Sequence, residues 1–213
     1  MKSQQSGFTL VEIAIVLVII GLLLGGVLKG QELINSAKVK AFANDFRNIQ
    51  AALYGYQDRY KAIPGDHAAA ATAVSGATAA TTPAGTIGNA QINGNWNSTT
   101  ATDESCLVWQ HMRLAGFFPG PTAANCADGA EYVPKNADGG RIGISSTTQI
   151  TGMTGTYFIC TTGILGKFAK QLDTQLDDGV GNTGSVRSAL VSAPTAAVAT
   201  PTDSDSYVVC MSL

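Results

Sequence analysis

The chain has 213 residues, which is enough for one ordinary domain with an appendage and too few for two full cores. Charged residues make up only 13% of the chain and the formal net charge is −2, so there is no basic surplus to neutralise a run of phosphates. No specific nucleic acid partner is therefore expected. The 24 glycines and the long stretches of Ala, Thr and Ser favour a loop-rich, secreted or surface-displayed protein.

The N-terminal region changes abruptly from polar to apolar. Residues 1–7 are polar, and the segment that follows, residues 8–28, reads FTLVEIAIVLVIIGLLLGGVL. As a helix this segment is roughly 32 Å long, close to the ~30 Å hydrocarbon core of a bilayer. An ordinary secretory signal is the competing interpretation, but no A-x-A-like cleavage site follows Leu28. The segment is thus predicted to be a retained membrane span.

Glu12 is the one ionisable residue in this apolar segment. A carboxylate carried to mid-bilayer costs about 2.5–3.5 kcal/mol, and less near the interface. Two interpretations are open. Glu12 either lies near the cytoplasmic interface and snorkels or takes up a proton, or it awaits a positive partner from another chain.

The residues Gly7-Phe8-Thr9-Leu10-Val11-Glu12, followed directly by an aliphatic helix, resemble the processing motif of type IV prepilins and of type II secretion pseudopilins. This resemblance implies that a prepilin peptidase cleaves between Gly7 and Phe8 and that the new N-terminal Phe8 is N-methylated. It also implies an assembly role for Glu12. The α-amino group exposed by cleavage is positive at neutral pH, so a neighbouring subunit's Glu12 can pair with it and set the axial register.

The apolar segment departs from many type IV pilins because no proline occurs before Pro64. Four glycines can substitute for it: Gly21, Gly25, Gly26 and Gly30. Each interior glycine weakens a helix by about 1 kcal/mol relative to Ala, which favours local melting at Gly25-Gly26 in a filament. Close packing of helices through these small residues is the alternative interpretation.

Beyond Leu28, apolar residues recur at spacings of three and four until Pro64-Gly65 stops the pattern. This stripe consists of Val39, Phe42, Phe46, Ile49, Leu53, Tyr56 and Tyr60. Such spacing predicts one helix from Phe8 to Lys61, whose second half is amphipathic. A free coiled coil is the alternative, but only about three heptads are present and charges do not systematically flank them.

The remainder of the chain is predicted to form a loop followed by a small antiparallel sheet with two helices. The low-charge residues 68–102 are expected to be a surface loop held down by Trp96, and a helix capped at Thr102-Asp103 should run to Leu114. Leu165, Phe168, Leu172 and Leu176 mark a second helix. Strands are predicted at Glu131–Val133, Arg141–Ser145, Thr156–Thr161 and Tyr207–Met211.

The resulting prediction is an α+β, pilin-like fold in which a long N-terminal helical spine packs on the sheet. Its expected parts are a leader peptide (1–7), a transmembrane and filament-core helix (8–30), the amphipathic half of the spine (31–62) and a disulfide-bonded globular head (63–213).

All four cysteines lie in the C-terminal half and none forms a C-x-x-C pair, so zinc spacing is absent. An even number beyond a membrane span indicates two disulfides in an oxidising compartment, although four cysteines permit three pairings and free thiols are the alternative. Cys160 and Cys210 occupy the same point of two similar strands, TYFIC and SYVVC. We expect these two to pair, which leaves Cys106 with Cys126.

The sequence shows no catalytic constellation and no cofactor motif. Asp173, Asp177 and Asp178 precede Gly179, but Thr174 and Leu176 occupy two positions where an EF-hand needs ligands, so they are only weak candidates for a metal site. His67 and His111 lie in no motif and are expected to be structural or exposed. An enzyme is therefore not expected.

The resemblance implies a structural subunit of a type IV pilus-like filament that serves adhesion, motility or DNA uptake. Its expected partners are further copies of the chain in a helical filament, the prepilin peptidase, the pilus assembly machinery of the inner membrane, and membrane lipid before assembly. The head would lie in the periplasm before assembly and on an extracellular pilus afterwards. A type II secretion pseudopilin in a periplasmic filament and a membrane-tethered binding or enzymatic domain are the alternatives.

Replacing Gly7 tests the predicted processing step. A bulky residue, as in Gly7→Leu, should leave unprocessed precursor in the membrane, whereas Gly7→Ala is expected to be tolerated. Immunoblotting of membranes with N-terminal mass measurement distinguishes the two forms. Normal maturation of Gly7→Leu would contradict cleavage after Gly7.

Overall fold

The computed structural model describes Gly7 and residues 9–213, so the leader residues 1–6 and Phe8 lie outside the described residues. A long N-terminal helix and a four-stranded antiparallel sheet confirm the predicted α+β, pilin-like fold class. The helices are α1 (Leu10–Tyr60), α2 (Ala70–Ala73), α3 (Glu104–Leu114) and α4 (Gly166–Leu176). The strands are β1 (Ile142–Ser145), β2 (Phe158–Leu165), β3 (Val186–Leu190) and β4 (Ser206–Ser212).

Helix α1 confirms the predicted spine over Leu10–Tyr60. It ends where Lys61 adopts a left-handed φ of 51°, just before Pro64-Gly65. The chain divides into two compact units at Lys38/Val39, which we call the N-terminal and C-terminal units. The second half of α1, from Val39 on, thus belongs to the same unit as the sheet.

The described residues of the N-terminal unit form no core of their own. Every large apolar side chain from Leu10 to Leu28 is between 46% and 91% exposed. The helix is unbroken at Gly25 and Gly26, and an added Cβ at either glycine would meet no other atom within 4 Å. Melting of this segment in a filament stays a prediction.

The C-terminal unit is built around the apolar stripe of α1. Val39, Phe42, Phe46, Ile49, Leu53 and Tyr56 are all buried, as the periodicity predicted. They share one cluster with Trp109 of α3, Phe168 of α4 and Ile159 of β2. Because three helices and one face of the sheet contribute to this cluster, α1 is part of the core and not an external stalk over these residues.

The sheet has the strand order β1-β2-β4-β3, with every pair antiparallel. Successive side chains of a strand point to opposite faces. Accordingly Ile159 and Val209 join the helix-side cluster, while Cys160 and Cys210 join a second cluster on the other face, which includes Trp96 and Ile150 from loops. Both faces are therefore covered, one by helices and the other by loop residues.

Two strand predictions need correction. Glu131–Val133 forms turns and not a strand. Tyr132 and Val133 are both buried there, and the Tyr132 hydroxyl donates to the Cys106 carbonyl at 2.9 Å. β3 was missed because its sequence, VRSAL, has only a weak apolar pattern. Pairing with β4 along its whole length creates this strand, and that contact is not visible locally.

Residues 68–102 are largely exposed and irregular, and Trp96 is buried, as the prediction of a surface loop held down by Trp96 requires. The prediction missed the short helix α2 and the burial of Val74, Ala77 and Ile92. The loop is held by carboxylates as well as by apolar contacts.

Asp66 is one of these anchors and is only 4% exposed. It accepts the backbone N–H groups of Gly88, Asn89 and Ala90, two of them at 3.2 Å and 2.7 Å. Glu104, which is fully buried, accepts the Thr86 hydroxyl at 2.6 Å and the Asn93 N–H at 2.7 Å. Hydrogen bonds to ionised groups are stronger than those between neutral groups, so these contacts fix an otherwise core-poor loop.

Asp103 occupies the predicted N-cap position of α3 but does not cap it through its side chain. Its carboxylate instead accepts the hydroxyl groups of Thr82 and Ser98, and this links α3 to the preceding loop. The cap prediction was therefore right for the position and wrong for the hydrogen bond.

Disulfides join Cys106 to Cys126 and Cys160 to Cys210. The first links α3 to the loop before the sheet, and the second links directly opposed residues of β2 and β4. The pairs close loops with sequence separations of 20 and 50 residues. On the loop-entropy estimate each is worth about 3–4 kcal/mol of stability.

Truncating Phe46 tests the role of α1 in the C-terminal unit. Phe46 is 2% exposed, so Phe46→Ala should lower the free energy of unfolding by about 3–5 kcal/mol through lost burial and the cavity left behind. Asn48→Ala, at an exposed position of the same helix, is the matched control and should change it by less than about 0.5 kcal/mol. Urea denaturation of the detergent-solubilised chain measures both. Equal stabilities of the two variants would contradict this account of the core.

Candidate assembly site

Glu12 lies in the first turn of α1, next to Thr9, the residue that precedes the helix. The Thr9 backbone N–H donates to Oε2 of Glu12 at 2.9 Å, and the Thr9 hydroxyl donates to the same oxygen at 2.7 Å. In return, the Glu12 N–H donates to the Thr9 hydroxyl oxygen at 3.3 Å. The two residues therefore satisfy each other's polar groups at the start of the helix.

This arrangement is a capping box, in which a Thr at the N-cap and a Glu three residues later exchange hydrogen bonds. The sequence analysis did not predict this cap, although the T-x-x-E spacing ahead of an apolar run indicates it. The cap gives hydrogen-bond acceptors to backbone N–H groups at the helix start, which would otherwise have no partner in hydrocarbon. It also places the negative charge at the positive end of the helix dipole.

The carboxylate keeps further bonding capacity. Among the described residues, both hydrogen bonds that Glu12 accepts are made through Oε2. An ionised carboxylate has about four lone-pair sites on its two oxygens, so Oε1 can still accept a bond from another group. The capping box thus positions Glu12 without using up its capacity to bind a cation.

The surroundings of this carboxylate are apolar and uncovered. Leu10, Val11 and Ile13 are 91%, 66% and 47% exposed, and α1 is long and apolar enough to cross a membrane. Gly7 is exposed, and its partner in the predicted cleavage, Phe8, lies outside the described residues. The exposed apolar side chains at the start of α1 therefore require lipid or protein around them, and the Glu12 carboxylate is held in a fixed position among them.

Residues 2–28 match the family model described as "Prokaryotic N-terminal methylation motif". The chain therefore carries the N-terminal signature of type IV pilins and pseudopilins. No curated protein and no solved structure is significantly similar to the chain.

The three weak metal candidates come together in the C-terminal unit. One ligand oxygen from each of Asp173, Asp177 and Asp178 lies within 4.8 Å of the others. Burial, with smaller contributions from the carboxylates of Asp178 and Asp177, raises the pKa of Asp173 to about 6.

The two histidines are built into the core around Tyr56. His111 is fully buried, accepts the Gly65 N–H through Nδ1 at 2.9 Å and donates through Nε2 to the Thr78 carbonyl at 2.8 Å. His67 shares a 2.8 Å hydrogen bond with the Tyr56 hydroxyl through Nδ1. Both rings have structural partners, in agreement with the expectation from sequence.

The buried His111 makes stability depend on pH. Burial lowers its pKa from 6.5 to about 4, so the unfolded chain takes up a proton before the folded chain does. The contribution of His111 is fully present above pH 6.5 and should fall by roughly 3 kcal/mol between pH 6.5 and pH 4. His111→Gln should remove this contribution to the dependence of the free energy of unfolding on pH.

Urea denaturation of both proteins across this pH range measures the difference. Asp173, whose raised pKa acts with the opposite sign, is common to both proteins and cancels in the comparison. Parallel pH profiles of wild type and His111→Gln would contradict the assignment of a neutral, buried His111.

Proposed function

We propose that the chain is a structural subunit of a type IV pilus-like filament. It is cleaved between Gly7 and Phe8, methylated at Phe8, held in the inner membrane by α1, and assembled with copies of itself. The observation that carries this proposal is a single positioned carboxylate, Glu12, in the exposed apolar first half of α1, which bears the methylation motif.

The exposed helix supports assembly on energetic grounds. A run of large apolar side chains with no intramolecular cover needs either lipid or protein around it. Lipid satisfies this need before assembly, and neighbouring α1 helices satisfy it afterwards. Moving α1 from lipid to a site between neighbouring α1 helices removes little apolar surface from water. Helix packing and polar contacts therefore determine whether the subunits associate.

Glu12 supplies such a polar contact. After cleavage the new α-amino group of Phe8 is positive at neutral pH. Pairing with the Glu12 carboxylate of a neighbouring subunit compensates both charges within the filament interior, and a misaligned subunit leaves them uncompensated. Breaking one side of a buried pair costs about 3–5 kcal/mol, which is enough to select one axial register.

The C-terminal unit would then form the outward-facing part of the filament. Its two disulfides, buried loop anchors and covered sheet faces suit a unit that must persist in the periplasm or outside the cell. Its role is mechanical and adhesive. The motif marks structural filament proteins, and the proposal assigns the chain no catalysis.

Glu12 variants test the charge pair directly. Glu12→Gln keeps the capping box, because Gln serves at the same position, but removes the charge. Glu12→Val removes both. We expect the two variants to insert and to be processed, and both to give at least about tenfold fewer filaments than wild type because the amine loses its partner.

Thr9→Val is the matched control, since it removes the capping hydroxyl and keeps the carboxylate. It should assemble far better than either Glu12 variant. Filaments are counted by immunogold microscopy, and membrane levels by immunoblot. Wild-type filament numbers from Glu12→Gln would show that Glu12 acts only as a helix cap.

The N-terminus and location of the mature chain distinguish a pilus subunit from a pseudopilin and from a membrane-tethered domain. A methylated Phe8 start measured by mass spectrometry, with the chain in sheared surface filaments, is the expected result. The same start with no chain in the sheared fraction would indicate a type II secretion pseudopilin in the periplasm. An unprocessed chain that never associates would indicate a membrane-tethered domain.

A further inference from the structure

A groove of about 420 Å³ lies at the C-terminal end of α1, within the C-terminal unit. Its lining includes Gln57 and Lys61 at the end of the helix, Asp66 and His67 from the turn that follows, and Tyr157 from the segment before β2. Ligand sites of proteins range from about 300 to 1,000 Å³. The groove is therefore large enough for a small polar ligand.

The backbone around this groove is held in an unusual conformation. Lys61 and Ala90 are the two non-glycine residues with positive φ in the described part of the chain, at 51° and 63°, and both line the groove. Ala90 is fixed on both sides, because its N–H donates to Asp66 at 2.7 Å and its carbonyl accepts the Tyr157 hydroxyl at 3.0 Å. Such conformations persist only where the surroundings enforce them, and they concentrate at ligand clamps. The groove is thus a preformed candidate binding site.

His67 has an unused hydrogen-bond donor at this groove. The residue is 8% exposed, and its Nδ1 lies 2.8 Å from the hydroxyl of the fully buried Tyr56. Among the described residues this nitrogen is the one acceptor within reach of that hydroxyl, so the hydroxyl donates to Nδ1 and the ring proton lies on Nε2. Nε2 has no hydrogen-bond partner in the part of the chain that the structure describes. A nearly buried N–H without a protein acceptor points to a ligand oxygen in the groove.

The charges around the groove favour a neutral ligand. Both oxygens of Asp66 already accept backbone N–H groups, and the exposed Lys61 ammonium pairs with Asp58 at 2.8 Å. No positive charge is therefore left in excess to select an anion. The remaining polar groups, the His67 N–H and the Gln57 amide, suit hydroxyl groups, which both donate and accept hydrogen bonds.

An exposed aromatic ring adjoins the groove. Tyr54 is 42% exposed and lines a depression together with Gln57 and Lys61, which also line the groove. A tyrosine ring offers a flat apolar face beside its polar hydroxyl. A saccharide has the matching chemistry, because its ring has an apolar C–H face and carries hydroxyl groups around its edge.

We propose that this groove binds one or two sugar units of a glycan. A sugar hydroxyl accepts the His67 Nε2–H, a second one bonds to the Gln57 amide, and one ring face lies against Tyr54. The site gives the adhesive role a chemical class of ligand. That role rests on the proposed function, whereas sugar binding by the dispersed chain does not require filament assembly.

Saturation-transfer NMR on the full chain, dispersed in a detergent that has no sugar group, tests the proposal. The probes are glucose, galactose and N-acetylglucosamine with the disaccharides cellobiose, lactose and chitobiose. At least one should bind saturably and weakly, as expected for so small a ligand, with the strongest transfer to its ring C–H protons. Tyr54→Ala and Gln57→Ala should each weaken this binding about tenfold. Lys40→Ala, at an exposed position of α1 outside the groove, should bind as wild type does.

The ¹⁵N resonance of His67 Nε2 in wild type provides a second readout that needs no substitution. The sugar that binds should shift it, because its hydroxyl becomes the acceptor of that N–H. Thermal unfolding confirms that each variant is folded. The proposal is overturned if no probe binds saturably, if the bound sugar leaves the His67 resonance unchanged, or if Tyr54→Ala and Lys40→Ala bind equally well.

Discussion

The capping contact between Thr9 and Glu12 is the interaction on which the N-terminal unit depends. A carboxylate in an apolar helix is normally a liability. Here Oε2 accepts two hydrogen bonds that also complete the helix start, so the charge has a local use before any partner arrives. The same geometry holds the second oxygen ready for a cation, and one residue can thereby serve the single chain in the membrane and the proposed contact in a filament.

Carboxylates also organise the C-terminal unit, although in a different way. Asp66 and Glu104 bind backbone N–H groups of a loop that contains few large apolar residues, and Asp103 links the same loop to α3. These contacts replace part of the hydrophobic burial that the loop's composition cannot supply. In the acidic cluster after α4, by contrast, burial raises the pKa of Asp173 to about 6.

The two compact units differ in whether the chain itself covers their apolar side chains. The C-terminal unit covers its apolar stripe with helices and one face of the sheet, while loop residues cover the other face. The N-terminal unit leaves its apolar side chains uncovered, and its environment must supply what is missing. That division explains why one helix carries a strictly periodic pattern in one half and a continuous apolar run in the other.

The local sequence by itself determined the apolar segment, the isolated Glu12 and the buried stripe from Val39 to Tyr56, because helical periodicity and hydropathy depend on near neighbours. The match between TYFIC and SYVVC likewise led to the cysteine pair that the fold places on opposed strand positions. Only the tertiary structure decided the burial of Val74, Ala77 and Ile92, the strand β3 and the closeness of Asp173 to Asp178. Each of these depends on backbone and side-chain groups that the folded chain brings together, and composition and local spacing carry no information on such contacts.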